Sequence, residues 1–265
     1  MTFTGISVAG KVCVVTGGGG GIGRAVCAGL AAMEAKVVAA EIDPERLAGT
    51  VEAVGSDVVG VAADTCDPAG VESMVAAALE RFGRIDVLVN TAFVGRTARP
   101  EDLSLQDWDL NLRVNLTGYF LSCQRVGRQM IAQGSGGSIV NFSSIAGSSA
   151  VGRTSFAYSV CKGGINMMTK ELAVEWARFG IRVNAIQPCQ VLTPGLEARM
   201  KDHSFTSVLD SRILPGIPMG RLGQPDDMVG AVVFLASDAA AMVTGVLLPV
   251  DGGNLAMNAG GSRTY

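Results

Sequence analysis

The chain has 265 residues, with 21 basic and 24 acidic side chains, for a formal net charge of −3. That balance offers no electrostatic footprint for a phosphate backbone and argues against a nucleic-acid partner, while 48% apolar and 17% charged residues exclude intrinsic disorder. Glycine is the outlier at 35 residues. Even with 9 prolines the pair stays below the roughly 25–30% of low-complexity chains, so the glycines must occupy particular places.

The opening MTFTGISVAGKV lacks a positive segment followed by a long apolar run, so no secretory signal is expected. The richest apolar stretches, such as AVVFLA at 231–236, fall far short of the roughly 18 residues of a membrane span. Six cysteines at 13, 27, 66, 123, 161 and 189 form no C-x-x-C pair, and His203 is the single histidine. The cysteines read as small buried hydrophobes, no metal site and no membrane partner are expected, and the default compartment is a reducing cytoplasm.

Along the chain, short β-rich runs alternate with helical patterns. Strands are predicted at 11–16, 36–41, 58–63, 85–90, 138–143, 182–187 and 245–250, and helices near 22–34, 44–54, 68–82, 105–133, 156–179 and 225–236. Several strands are nearly continuous apolar runs, as burial on both faces of a parallel sheet requires. The expectation is one doubly wound α/β domain of Rossmann type over 1–265, with a seven-stranded parallel sheet and helices on both faces. An irregular excursion at about 191–223, holding Pro194, Pro215 and Pro218 with Pro225 just beyond, could act as a lid.

The first predicted strand runs into Thr16, five glycines from Gly17 to Gly21, then Ile22 and Gly23. A strand, a glycine turn and a helix start form a phosphate cradle. The backbone can approach a pyrophosphate closely, and the helix N-terminus offers free N–H groups and the positive end of its dipole. The register stays open: Gly18, Gly20 and Gly23 satisfy G-x-G-x-x-G, and Gly17, Gly21 and Gly23 satisfy T-G-x-x-x-G-x-G. A flexible structural turn would look the same, but the second strand ends in Glu41, 18 residues after Gly23, where an acid reads the ribose hydroxyls of a dinucleotide.

A second signal is Tyr158-Ser-Val-Cys-Lys162. On a helix, positions i and i+4 share a face, so a cation lies beside the phenol and stabilises phenolate, making Tyr158 a usable acid/base for a carbonyl/alcohol pair. The bland reading is an accidental pair on an amphipathic helix.

With both signals in place, the chain resembles the short-chain dehydrogenase/reductase family over essentially its full length. The match comprises TGGGGGIG at 16–23, Asp64, Asn90, Asn115, Ser143-Ser144, Tyr158 with Lys162, VLT at 191–193 and VDGG at 250–253. The resemblance selects Gly17, Gly21 and Gly23 as the register and implies a catalytic tetrad. Tyr158 would exchange a proton with the substrate oxygen while hydride moves to or from the nicotinamide. Lys162 would lower the Tyr158 pKa and hold the ribose, Ser144 would hydrogen-bond the reacting oxygen, and Asn115 would hold a water linking Lys162 to solvent. Ser144 stands three before Gly147, as in the family's S-x-x-G, with Ser143 as the alternative. The resemblance also implies cofactor contacts from Ile22, Asp64, Thr65, Asn90, Ala92, Val191 and Thr193, and a homotetramer built through the helices at 105–133 and 156–179.

The chain departs from the family where substrate and nicotinamide should meet. Asn90-Thr-Ala-Phe93 ends in a large aromatic ring where glycine is usual, and Pro188-Cys189, followed by Gln190, replaces Pro-Gly. Phe93 reads equally as a substrate wall or as a core residue.

Glu41 argues for NAD over NADP, because two unit charges at about 5 Å and an effective dielectric near 20 repel by roughly 3 kcal/mol. Segments expected to face the substrate carry Arg96, Arg99, Arg153, Gln190, Arg199, Lys201, His203 and Arg212. A solvated surface explains any one of them, but together they lean towards a polar or anionic small molecule such as a sugar, polyol or sugar acid. If Arg96 or Arg153 faces the cleft, it could grip a carboxylate or sulfonate. The alternatives are a 3-oxoacyl thioester reductase of the same fold and, in another class, a non-catalytic dinucleotide-binding regulator.

Overall fold

The computed structural model describes residues 5–55 and 57–257, so the ends of the domain expected over 1–265 lie outside the described residues. Seven parallel strands form one sheet in the order β3-β2-β1-β4-β5-β6-β7: β1 (Val12–Thr16), β2 (Lys36–Glu41), β3 (Val58–Ala62), β4 (Val87–Asn90), β5 (Gly137–Phe142), β6 (Ile181–Pro188) and β7 (Leu247–Val250). The connecting helices are α1 (Gly21–Ala32), α2 (Pro44–Val54), α3 (Pro68–Phe82), α4 (Leu105–Leu112), α5 (Gly118–Gln133), α6 (Phe156–Trp176), α7 (Pro194–Met200), α8 (His203–Val208) and α9 (Val229–Ala236). This is the doubly wound fold that the alternation of strand and helix patterns implies.

Side-chain alternation along the central strands feeds two cores, one on each face. Cys13 and Val15 of β1 pack with Val26 and Leu30 of α1 and with Val232 of α9. Val12 and Val14 point the other way, to Met74 and Val75 of α3 and to Cys123 and Val126 of α5. The helix starts follow local chemistry: Asp43 and Asp67 accept hydrogen bonds from the first-turn N–H groups of α2 and α3, and Pro44 and Pro68 follow them.

Two segments differ from the sequence expectation. The helix expected over 105–133 is interrupted by a π turn at Arg113–Thr117 between α4 and α5. Apolar periodicity cannot register one widened turn, and such turns recur at functional sites. The excursion at 191–223 is more regular than its prolines suggest. Beyond α7 and α8 it carries a second π turn at Leu209–Ile213, and Leu209, Ile213, Ile217 and Leu222 form a small core of their own with Leu192, Leu196 and Met200. Its base is pinned by the C-terminal turn, where Met219 N–H donates to Gly252 O (3.1 Å) and Asn254 Nδ2 to Gly216 O (2.5 Å). Among the described residues no helix is long and apolar enough to cross a membrane.

Candidate active site

The strand order reverses between β1 and β4, and the carboxyl ends of the strands flanking that point form the crevice where open α/β sheets bind ligands. Thr16, Glu41, Asn90, Phe142 and Pro188 all end strands on this edge.

The glycine turn between β1 and α1 fits a dinucleotide pyrophosphate. Gly17 has φ +67, and a Cβ there would lie 2.7 Å from the Ala92 nitrogen. A Cβ on Gly23 would lie 2.1 Å from the Gly17 carbonyl oxygen, so the first turn of α1 can close onto the loop only with glycine at that position. No side chain caps α1, which leaves its first-turn N–H groups open to the crevice as an anion cradle. Gly21 lies against Thr193, whose side-chain carbons would be 2.9 Å from an added Cβ, so the base of the 191–223 lobe meets the loop. Thr193 accepts from Leu196 N–H at the start of α7, and buried Val191 pairs in a bridge with Gly223.

Glu41 is buried at the end of β2. Its Oε2 accepts from Gly19 N–H (3.1 Å), and its Oε1 accepts from Ile42 N–H (3.0 Å) and Asp43 N–H (3.1 Å). The carboxylate is thus fastened to the glycine loop. Next along the edge, Asp64 accepts from Cys66 N–H (2.8 Å) and stands 3.9 Å from Arg113, with Thr65 buried beside it. Asn90 differs from expectation. Its amide donates to Asn141 Oδ1 (3.0 Å) and accepts from Thr16 Oγ1 (3.2 Å), so the side chain ties β1, β4 and β5 together inside the sheet, and any cofactor contact falls to its backbone.

Helix α6 places Tyr158, Lys162 and Asn166 one turn apart on one face. It packs closely on the turn after β5, because a Cβ on Gly147 would lie 2.6 Å from the Lys162 carbonyl oxygen; this is the physical need behind S-x-x-G. The two serines part company here. Ser143 is buried and spent on structure, donating to Asn166 Oδ1 (2.6 Å) and to the Lys162 carbonyl. Ser144 accepts from Ala146 N–H (3.1 Å), which leaves its own O–H to donate, and it lies against the Tyr158 hydroxyl. Burial pushes the Tyr158 hydroxyl up to about 12, and hydrogen bonding from Ser144 pulls it back down only in part.

Lys162 is 2% exposed. Its Nζ donates to the Phe142 carbonyl (2.6 Å), lies 3.5 Å from the Tyr119 hydroxyl and sits 5.5 Å from the Tyr158 ring centroid. Burial lowers its pKa from 10.5 to about 7. The same desolvation thus raises the phenol and lowers the ammonium.

Asn115, expected to hold a water, sits in the π turn. Its Nδ2 donates to Val94 O (2.8 Å) and Asn111 O (3.1 Å), and its Oδ1 accepts from Val94 N–H (3.2 Å). The amide anchors the loop after β4, so it positions the site through Val94. Sequence reasoning missed Tyr119, whose hydroxyl shares the Phe142 carbonyl with Lys162. The signal was the spacing of Asn111, Asn115 and Tyr119 at every fourth residue. Gln187 was also missed; it donates to Ser144 O (3.2 Å) and Ser148 Oγ (2.6 Å) and holds the catalytic turn from β6.

The residues expected to face the substrate separate into two groups. Phe93 is 62% exposed and meets the Tyr158 ring edge-on, so it is a wall of the crevice and not a core residue. Gln190 and Arg153 face each other: the Gln190 amide oxygen, oriented by its partners, accepts from Arg153 Nη1 (3.2 Å) and Nη2 (3.0 Å). Arg96 is exposed; its backbone carbonyl accepts from Asn111 Nδ2, and its side chain does not join this pair.

A family model described as Enoyl-(Acyl carrier protein) reductase matches residues 17–254. The chain belongs to the short-chain dehydrogenase/reductase family. It is 42% identical over 247 residues to D-threitol dehydrogenase of Mycolicibacterium smegmatis, covering 92% of each chain. A solved structure from Agrobacterium tumefaciens, described as a 2-deoxy-D-gluconate 3-dehydrogenase with bound NADP, superposes with a TM-score of 0.84 at 35% identity, covering 96% of this chain and 100% of that one. The 3-ketoacyl-(acyl-carrier-protein) reductase of Brucella melitensis complexed with NADH gives 0.84 at 34% identity over 94% and 99%. This dehydrogenase/reductase is accordingly an oxidoreductase with a fold that binds NAD(P).

Proposed function

We propose that this dehydrogenase/reductase uses NAD to oxidise a polar secondary alcohol of the sugar, polyol or sugar-acid type, or to reduce the matching ketone. The observation that carries the reading is the meeting of Ser144, Tyr158 and Lys162 at the crevice, beside a glycine loop fastened to Glu41. A bound nicotinamide supplies the hydride acceptor or donor. In the oxidative direction Tyr158, after its own proton has passed to solvent, would act as phenolate and take the proton of the alcohol hydroxyl on its oxygen. Ser144 donates a hydrogen bond to the same substrate oxygen, and Lys162, fixed by the Phe142 carbonyl, lies within reach of the phenol, so that its protonated form favours the phenolate. Asn115 positions the loop carrying Phe93.

NAD preference rests on the negative charge of Glu41 beside the glycine loop, where a 2′-phosphate would meet it. Arg46, the nearest cation on α2, is engaged by Asp43 (3.2 Å). Thioester reduction is not excluded by cofactor choice alone, since the ketoacyl reductase from Brucella melitensis is complexed with NADH; the polar Arg153–Gln190 pair favours a compact polar substrate. The assembly we favour is a homotetramer, supported by exposed Phe120, Phe156, Met167 and Val174 on α5 and α6. Six unpaired cysteines suit a reducing cytoplasm. The test is a panel of sugars, polyols and sugar acids followed by absorbance with NAD and with NADP. Turnover by the native enzyme and its loss in Tyr158→Phe are expected; absence of turnover with every alcohol and either cofactor overturns the reading.

A further inference from the structure

We propose that Arg153, braced by Gln190, is a carboxylate-recognition site at the substrate end of the crevice, and that the preferred substrate is therefore a sugar acid or related hydroxy acid, not a neutral polyol. The inference deepens, and rests on, the alcohol-oxidising reading above.

Three independent features converge on Arg153. The first is place. Gln190 lies just beyond Pro188, the last residue of β6, and Arg153 belongs to the loop that runs from the Ser144 turn into α6 and Tyr158. Their contact closes the side of the crevice between the ends of β5 and β6, the side on which Ser144 sits, held from β6 by Gln187.

The second is charge. The Arg153 side chain is half-buried, yet among the described residues it takes part in no ion pair, and its partner is the neutral Gln190 amide. A charge withdrawn from water gains most from a partner of opposite sign. Two of the five guanidinium N–H donors converge on one oxygen, at 3.2 and 3.0 Å, which leaves the others for an incoming group and holds the plane of the fork. Burial also lowers the guanidinium's pKa, with no acid beside it among the described residues to offset the lost hydration. A carboxylate suits this arrangement because it can accept two parallel N–H bonds from the fork.

The third is backbone strain. Arg153 stands between Gly152 at φ +62 and Thr154 at φ +55. A β-branched residue rarely adopts the left-handed region, and such outliers persist where the surrounding structure holds them. Here Ala98 N–H donates to the Thr154 carbonyl (3.2 Å) and Ala98 bridges Ser155. The loop is thereby fixed in the one shape that turns Arg153 towards Gln190.

The experiment compares matched probes that differ in one group, threonate with threitol and gluconate with glucitol, on the native enzyme, Arg153→Met, Arg153→Lys and Gln190→Leu. The native enzyme should favour the acid of each pair by about tenfold or more in kcat/KM. Arg153→Met should raise KM for the acid by about tenfold or more and raise the polyol KM much less, so that the acid-to-polyol ratio of kcat/KM collapses. Arg153→Lys should restore part of the loss, and Gln190→Leu should weaken the acid selectively. Calorimetric titration of the same acids into the NADH-loaded enzyme gives a second readout that needs no turnover. If the acids bind through Arg153 but no alcohol is oxidised, the recognition site stands and the oxidation reading falls. If alcohols are oxidised while Arg153→Met leaves the acid-to-polyol ratio unchanged, or if the native enzyme prefers the polyols, the recognition site is wrong and the oxidation reading survives.

Discussion

The Phe93 ring meets the Tyr158 ring edge-on, with centroids 5.5 Å apart and planes at 82°. An aromatic thus stands where the family usually has glycine, and it covers one side of the phenol. Because Phe93 is 62% exposed, Phe93→Ala should cost less than about 1.5 kcal/mol of stability, the upper worth of such an aromatic pair. Its kinetic effect should be about a fivefold or greater change in kcat/KM, with the pH profile of turnover shifted to lower pH as water reaches Tyr158. Denaturant unfolding and a pH–rate series check both halves, and an unshifted profile would remove Phe93 from the site.

Tyr158→Phe keeps the ring but deletes the proton-transfer group, so turnover should fall by a factor of about 10²–10⁴ while NAD affinity changes little. The serine pair gives a sharper contrast. Ser144→Ala should lower turnover with little effect on melting, whereas Ser143→Ala strips a donor from buried Asn166 and should cost about 1–3 kcal/mol of stability. Melting curves and single-turnover rates on the same two variants decide the assignment; the reverse pattern would make Ser143 the catalytic serine.

Cofactor choice follows Glu41. The native enzyme should bind NAD more tightly than NADP by about 1–3 kcal/mol, roughly 5- to 150-fold. Glu41→Gln removes the charge and keeps one of the two acceptor oxygens that hold Gly19, Ile42 and Asp43 N–H, and it should shrink the gap. Equal calorimetric affinity for both cofactors in the native enzyme would sink the idea.

Lys162 makes stability depend on pH. Its pKa falls from 10.5 to about 7 on folding because the ammonium is buried. Below pH 7 both states hold the proton, and the folded state bears the full cost. From pH 7 towards 10.5 the unfolded chain binds more protons, so stability rises with pH. Between pH 7 and 8.5 the native enzyme should gain about 1–2 kcal/mol relative to Lys162→Met. Above pH 9 the absolute stability of both proteins should fall as pH rises, since burial pushes the Cys27 and Cys123 thiols from 9.0 up to about 12 and the unfolded chain then sheds protons first. Parallel stability curves for the two proteins between pH 7 and 8.5 would contradict the buried-ammonium account.

The elements that could be read from the sequence are those set by local physics. Apolar runs such as KVCVVT and KVVAAE are strands because a parallel sheet buries both faces, and the order of elements then limits the fold to a doubly wound one. The glycine turn, Glu41 and the Tyr158–Lys162 spacing are likewise local, since each needs only a strand end or one helix turn to place it. What only the tertiary structure decided are contacts between segments far apart in the chain. Ser143 and Ser144 are neighbours in sequence, and it is the packing of α6 on the Gly147 turn that gives one to Asn166 and the other to Tyr158. Asn90 and Asn115 carry family positions, but cross-strand and loop contacts spend their amides on Asn141 and Val94. Arg153 and Gln190 meet across 37 residues because α6 and β6 return the chain to the same edge of the sheet. Charge and burial at such a meeting depend on where the returning strand ends, and no local pattern encodes that.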